Sequence, residues 1–114
     1  MTIERFRGES AGRSRAVAWG ELVFTVATAD GDGVAAQTRA VLAKLDRNLA
    51  DAGADRSRIL SATVYLTDID TKAEMDVVWC EWIGPPEHWP QRACVQAALS
   101  PGHDVEITLV AVRR

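Results

Sequence analysis

Hydrophobic and polar side chains alternate with a period of two in five stretches of this chain, a pattern that predicts β-strands. Residues 15–19 and 22–28 are interrupted only at Gly20 and Glu21, which indicates a hairpin. Residues 59–66 are rich in β-branched side chains, and two more alternating stretches lie within residues 90–114. In residues 59–66 the alternation predicts one apolar face and one polar face: Leu60, Ala62, Val64 and Leu66 opposite Ser61, Thr63 and Tyr65.

Two segments between these strands repeat their apolar residues every three or four positions, as amphipathic helices do. The first segment runs from Val34 to near Gly53. The second is predicted to begin with a capping box of Thr71 and Glu74 and to end at residues 84–86, Gly-Pro-Pro. The polar face of the first helix is predicted to be an ordinary solvated surface: Gln37, Arg39, Lys44, Arg47 and Asp51.

The element order is therefore β-β-α-β-α-β-β, which predicts one α+β domain over residues 1–114, a single sheet with two helices packed on one face. The other sheet face then meets water or a second subunit. The alternation assigns to that face a mixed set of side chains: Ser61, Thr63, Tyr65, Arg92, Cys94, Gln96 and Glu106. Such a surface favours oligomer formation, with a monomer bearing a polar sheet face as the alternative.

Composition excludes several classes of protein. A net charge of −3 on 114 residues argues against a nucleic-acid or membrane-surface partner. The first ten residues are too charged for a signal peptide, and no apolar run reaches transmembrane length. Cys80 and Cys94 are expected to be free thiols in a cytoplasmic protein. His88 and His103 lack metal-ligand spacing, so no metal or cofactor is expected.

The candidate chemistry lies in the last two strands. Arg92 shares a strand face with Cys94 and Gln96, and a guanidinium in such a position requires a carboxylate from the protein or from a ligand. One interpretation is a structural salt bridge between Arg92 and Glu106. The other is that Arg92 binds an anionic substrate while Glu106 transfers protons beside it.

This C-terminal region resembles the RidA (YjgF) family. The resemblance is carried by PQRACVQA at 90–97, Pro101, VEI at 105–107 and AVRR at 111–114, and it extends in order over roughly residues 15–114. It implies a chorismate-mutase-like α+β fold and a homotrimer whose sheets face a central barrel. It also implies three ligand clefts between subunits.

The resemblance further implies hydrolysis of reactive 2-imino and enamine acids to 2-keto acids and ammonia, without a cofactor. By position, Arg92 matches the residue that anchors the substrate carboxylate, and Glu106 matches the residue that positions water. Cys94 matches a pocket position that acts through its backbone, with covalent catalysis by its thiol as the alternative. Pro101 matches a cleft wall contributed by the neighbouring subunit.

The chain also departs from the family pattern. Typical members have a cleft-closing Tyr where this chain has Arg13-Ser-Arg15, so Arg13 or Arg15 is a candidate for that role. Val26-Ala27-Thr28 replaces a Ser-Gly-Gln run, which makes Ala27 and Thr28 candidate substrate-binding residues. Asp76, a further candidate, stands where Asn is usual.

Two functions follow from these residues. The first is an imine or enamine deaminase, and the alternative is a trimeric protein that binds small carboxylates without turnover. Ribonuclease or translation-inhibiting activity, claimed for relatives, is disfavoured by the acidic composition and by the lack of a basic-aromatic stripe.

Overall fold

The computed structural model describes all 114 residues as one mixed sheet of six strands with two α-helices. The strand order across the sheet is β1-β2-β3-β6-β4-β5. All neighbouring strands are antiparallel except β4 and β5, which run parallel. The bounds along the chain are β1 Ile3–Arg7, β2 Ser14–Trp19, β3 Leu22–Ala27, α1 Val34–Asp51, β4 Ile59–Leu66, α2 Lys72–Ile83, β5 Gln91–Gln96 and β6 Val105–Val112.

Strand β1 was not predicted. Its sequence, IERFR, places charged residues at alternate and adjacent positions, so it lacks the apolar face that marks a strand. It forms because β2 offers a free edge, and only Phe6 of the strand is partly buried against the core. The observed order is therefore β-β-β-α-β-α-β-β, one strand longer than expected.

Both helices pack on the same face of the sheet and bury their apolar stripes there, which confirms the predicted α+β architecture. From the sheet, every second residue of β6 enters the core, beginning with Val105. Helix α1 ends where Gly53 takes a positive φ of 85°, a conformation that glycine adopts without strain. The fully buried side chains of the two helices include Val41, Leu45, Leu49, Met75 and Ile83.

Three local predictions were wrong. A bulge between Ile59 and Ser61 turns Ile59 into the core and leaves Leu60 half exposed, because the extra residue shifts the alternation. Thr71 precedes α2 but its hydroxyl donates to the carbonyl of Asp68, so no capping box forms with the following helix. Gln37, expected in solvent, is 2% exposed.

The sheet face away from the helices carries more apolar surface than predicted. Trp19, Phe24 and Val95 are 45%, 44% and 43% exposed, respectively, and Val110 lies beside Phe24 on the same face. Neither helix combines the length and the apolar character needed to cross a bilayer.

Candidate functional site

The strand register separates Arg92 from Glu106. Arg92 of β5 pairs with Ala62 of β4, whose side chain is buried under the helices. Glu106 of β6 pairs with Tyr65, which lies on the opposite face. The prediction that Arg92, Cys94 and Gln96 share the open face with Tyr65 was therefore wrong, because they lie on the helix side. The other residues assigned to the open face lie there as predicted: Ser61, Thr63, Tyr65 and Glu106. The alternation gave the relative faces within each strand, but it could not give the parallel register between β4 and β5.

Arg92 meets its carboxylate within the chain, but the partner is Asp76 of α2 instead of Glu106. Its Nη2 donates to Oδ1 of Asp76 at 2.6 Å, and its guanidinium lies 5.2 Å from the ring centroid of Trp79, within cation–π range. Lys72, one helical turn before Asp76, holds the second carboxylate oxygen at 2.6 Å. The Arg92–Glu106 salt bridge, one of the two interpretations of the sequence, does not form within the chain. Arg92 lies instead in a cluster with Lys72 and Asp76 that has one net positive charge.

The charges around Asp76 determine its ionisation. Desolvation by burial is the largest single influence and would raise the pKa of Asp76. Hydrogen bonds from Lys72 and Arg92, together with their positive charges, outweigh it, so the pKa lies below its usual value. Asp76 is therefore a carboxylate at neutral pH.

Cys94 lies two residues after Arg92 on the same, helix-facing side of β5 and is partly buried against the core. Burial raises the pKa of its thiol, despite the nearby charges of Arg92 and Lys72. The thiol is therefore predominantly protonated at neutral pH, which disfavours the nucleophilic role. Strand β5 is an edge strand that pairs only with β4, so its outer main-chain edge has no strand partner.

A cleft of about 480 Å³ opens at the carboxyl end of β3, between α1 and the loop that joins β1 to β2. It brings together three of the predicted site residues, Ala27, Thr28 and Glu106. The cleft does not include Arg92, Cys94, Asp76 or Pro101. A single chain therefore holds the predicted site in two separate parts.

Glu106 is half-buried in this cleft, and its carboxylate has no hydrogen bond or ion pair within the chain. One other acidic residue lines the cleft: Glu9, which is exposed on the loop between β1 and β2. The lone pairs of Glu106 are therefore free to accept from water or from a ligand.

Arg13 and Arg15 both line the cleft, but only Arg15 forms an ion pair within the chain. Arg15 is fixed by an ion pair to Asp51 at 2.8 Å, a bond to Asn48 and a bond to the carbonyl of Arg7. Arg13 is exposed and bonds only to Ser10. Of the two candidates for the missing Tyr, Arg13 is the one whose side chain is free to move over the cleft.

Sequence reasoning missed other residues of the cleft. Lys44 and Arg47 of α1 line it, although their helix face was predicted to be ordinary surface, and Arg7 and Asn48 line it as well. The signal was the pair of like charges three positions apart, which costs helix stability unless an anion or another element offsets it. Both side chains are exposed, and only the tertiary position of the β1–β2 loop shows that they line a cleft.

Pro101 is exposed at the tip of the turn between β5 and β6. The turn is attached to α1 by buried Gln37, whose amide donates to the carbonyl of Gly102 and accepts from the backbone of Asp104. Gln37 therefore fixes the turn that carries Pro101, and Pro101 does not line the cleft of its own chain.

Taken together, a mixed sheet with helices on one face and a positively lined cleft at the rim define an α+β protein suited to small anions. A family model described as endoribonuclease L-PSP matches residues 13–113. The RutC family protein YoaB of Escherichia coli is 35% identical over 97% of this chain and 98% of its own length. The chain therefore belongs to the family known under the names RutC and YjgF.

Solved structures agree with this placement. A YjgF family member from Neisseria meningitidis superimposes with a TM-score of 0.91 at 39% identity, covering 100% of this chain and 97% of its own. A member of the same family from Mycobacterium tuberculosis superimposes with a TM-score of 0.89 at 32% identity, covering 97% of this chain and 99% of its own. A RutC family protein of Haemophilus ducreyi is 43% identical over 66% of this chain, and the match spans 64% of that protein.

Proposed function

We propose that this protein hydrolyses reactive 2-imino acids, and the enamines that tautomerise to them, to 2-keto acids and ammonia. The observation that carries the proposal is the unpaired Glu106 carboxylate in a positively lined cleft. Water bound to Glu106 attacks the imine carbon while the carboxylate accepts a proton from it. Glu106 returns this proton to the nitrogen of the resulting tetrahedral intermediate, and the proton of the added hydroxyl follows by the same route. The carbon–nitrogen bond then breaks, ammonia leaves, and the keto acid remains.

In this proposal Arg92 binds the substrate carboxylate, as the family resemblance implies. The cluster of Lys72, Asp76 and Arg92 keeps one net positive charge, so an anion is still attracted to it. Its guanidinium has five donors, only one of which bonds to Asp76. The backbone of Cys94, on the free edge strand, is the second proposed contact.

The register supports a site shared between protomers. Within one chain Arg92 and Glu106 lie on opposite sheet faces and on strands separated by β4, about 10 Å apart across the sheet alone. Both residues can meet one small substrate only if they come from different chains. We therefore propose that β5, with Arg92 and Cys94, and the Pro101 turn complete the neighbouring protomer's cleft around Glu106, Ala27 and Thr28.

The open sheet face supports the assembly this requires. Trp19 and Phe24 lie on it nearly half exposed, and β5 leaves an edge of the sheet unpaired. Apolar side chains and a free strand edge are stabilised by covering them with another subunit. We propose the homotrimer that the family resemblance implies, with the open faces directed inward.

The catalytic assignment is tested by separating the effects of Arg92 and Glu106. Arg92→Lys keeps the charge but loses the planar fork, so it is expected to weaken keto-acid binding by about 1.5–3 kcal/mol. Glu106→Gln is expected to lower turnover by about a hundredfold or more with nearly unchanged keto-acid binding, because the water gains charge only during attack. Ammonia release from a coupled amino-acid oxidase reaction and calorimetric titration with the keto acid measure the two effects.

A binding protein without turnover is the second candidate, and the Asp76 carboxylate on Arg92 favours it because it competes with a ligand carboxylate for the same donors. In that case keto acids raise Tm while ammonia release is no faster than in buffer. That result, with both variants folded, would contradict the deaminase.

A further inference from the structure

The cleft around Glu106 concentrates positive charge in an acidic protein. Five basic side chains line it against two carboxylates, whereas the whole chain has a net charge of −3. Only one of the five, Arg15, has a carboxylate within ion-pair distance, through Asp51. The charges of Arg7, Arg13, Lys44 and Arg47 are uncompensated within the chain.

The contacts of these side chains indicate which of them are available. Lys44 donates to the backbone carbonyl of Thr28 at 2.9 Å, a contact that positions the ammonium at the end of β3 without neutralising it. Arg47 is one helical turn further along the same face of α1 and has no hydrogen bond within the chain. Arg13 faces them from the β1–β2 loop. Like charges that line one cleft repel one another, and an anion bound between them offsets that repulsion.

A substrate with a single carboxylate does not account for this charge. In the proposed site its carboxylate is bound by Arg92 of the neighbouring protomer, and Glu106 binds water. Arg13, Lys44 and Arg47 are then left without a carboxylate partner. We infer that the preferred substrate is a diacid, a 2-imino acid with a second carboxylate at the end of a short side chain. This inference rests on the proposed function. The imines of aspartate and glutamate have this chemistry.

The cleft fits a small diacid better than a nucleic acid. Its volume of about 480 Å³ is that of a metabolite pocket. Its apolar lining is limited to Val26 and Ala27, so it offers no aromatic ring on which a base could stack. The excess positive charge therefore points to a compact dianion.

The test compares turnover of the imines of glutamate and of alanine, each generated by an oxidase of matching specificity, with wild type, Arg13→Gln, Arg47→Gln and Arg39→Gln. Arg39 is a matched control, because it is an exposed arginine of α1 that does not line the cleft. Wild type is expected to prefer the glutamate imine in kcat/KM. Arg13→Gln and Arg47→Gln are each expected to lower the ratio of kcat/KM for the glutamate imine to that for the alanine imine by about tenfold, the scale of a lost charge-assisted contact. Arg39→Gln is expected to leave kcat/KM for both imines unchanged.

Titrations of the same four proteins with 2-oxoglutarate and with pyruvate separate this inference from the proposed function. Absence of all turnover, combined with tighter binding of 2-oxoglutarate that depends on Arg13 and Arg47, would contradict the deaminase and support the dianion site. Turnover of both imines without preference would leave the deaminase standing and overturn the dianion site. Binding of a single-stranded oligoribonucleotide that is weakened by Arg47→Gln, without discrimination between the two keto acids, would also overturn it.

Discussion

At the scale of single residues, Asp76 decides how Arg92 can act. The carboxylate holds the guanidinium at 2.6 Å over the ring of Trp79, so Arg92 has a fixed position before any ligand arrives. The same carboxylate repels an incoming anion and occupies one donor. Lys72 offsets part of this repulsion through its own bond to Asp76. In the proposed site Asp76 therefore lowers the affinity for an anionic ligand, and it holds Arg92 in place before the ligand binds.

Asp76→Asn is expected to change acid stability in a defined direction. The pKa of Asp76 in the folded protein is below its ordinary value of 3.8, so its ion pairs stabilise the fold at pH above 3.8. That contribution is lost as pH falls below 3.8 through the folded pKa. Thermal unfolding should therefore give a higher Tm for wild type than for Asp76→Asn at neutral pH, and the difference in Tm should become smaller in acid.

Asp70→Asn is the control for this comparison, because Asp70 is exposed and its carboxylate has no ion pair. Keto-acid binding by Asp76→Asn should tighten at neutral pH, since a competing charge is removed. A stability gap that stays constant into strong acid, or weaker keto-acid binding, would refute the role assigned to Asp76.

At the scale of elements, the sequence shows the spacing of apolar residues in each strand and helix, but it does not show how the strands pair. The alternation of β6 and the helical spacing of α1 and α2 are strong because each buries a full apolar face. Strand β1 has no such face, and it is specified by the free edge of β2. The sheet face on which Arg92 lies depends on the parallel pairing of β4 with β5, which are connected through helix α2. A period-two pattern within each strand does not predict how two strands pair. Lys44 and Arg47 became site candidates only through the position of a loop distant in sequence.

Gln37 shows how α1 holds the turn between β5 and β6 in place. Its buried amide bonds to the carbonyls of Gly31 and Gly102 and to the backbone N–H of Asp104. Gln37→Ala leaves the Asp104 N–H and two carbonyls without these partners, so it should lower the free energy of unfolding by about 1–3 kcal/mol. Urea unfolding at constant protomer concentration measures the change.

Arg39→Ala, at an exposed position on the same helix, should have a free energy of unfolding within about 0.5 kcal/mol of the wild-type value. A Gln37→Ala protein as stable as Arg39→Ala would show that the turn carrying Pro101 is held by other contacts.

At the scale of the whole molecule, the protein is expected to be incomplete as a single chain. Its open face exposes Trp19 and Phe24, and the two residues of the proposed site, Arg92 and Glu106, lie on opposite faces of the sheet. Light scattering at micromolar concentration should give a mass near three times 12.4 kDa. A stable monomer would remove the shared cleft together with the trimer.

The shared cleft is tested most directly by mixing two inactive chains, Arg92→Gln and Glu106→Gln, co-expressed with different tags and isolated as mixed oligomers. If each cleft takes Arg92 from one protomer and Glu106 from the next, every mixed trimer contains one complete cleft out of three, so the isolated mixed oligomers should show about a third of the wild-type activity. Each variant alone should stay inactive for imine hydrolysis. Mixed oligomers as inactive as the separate variants would show that both residues act from the same chain, or that they do not form one site, and would contradict the account.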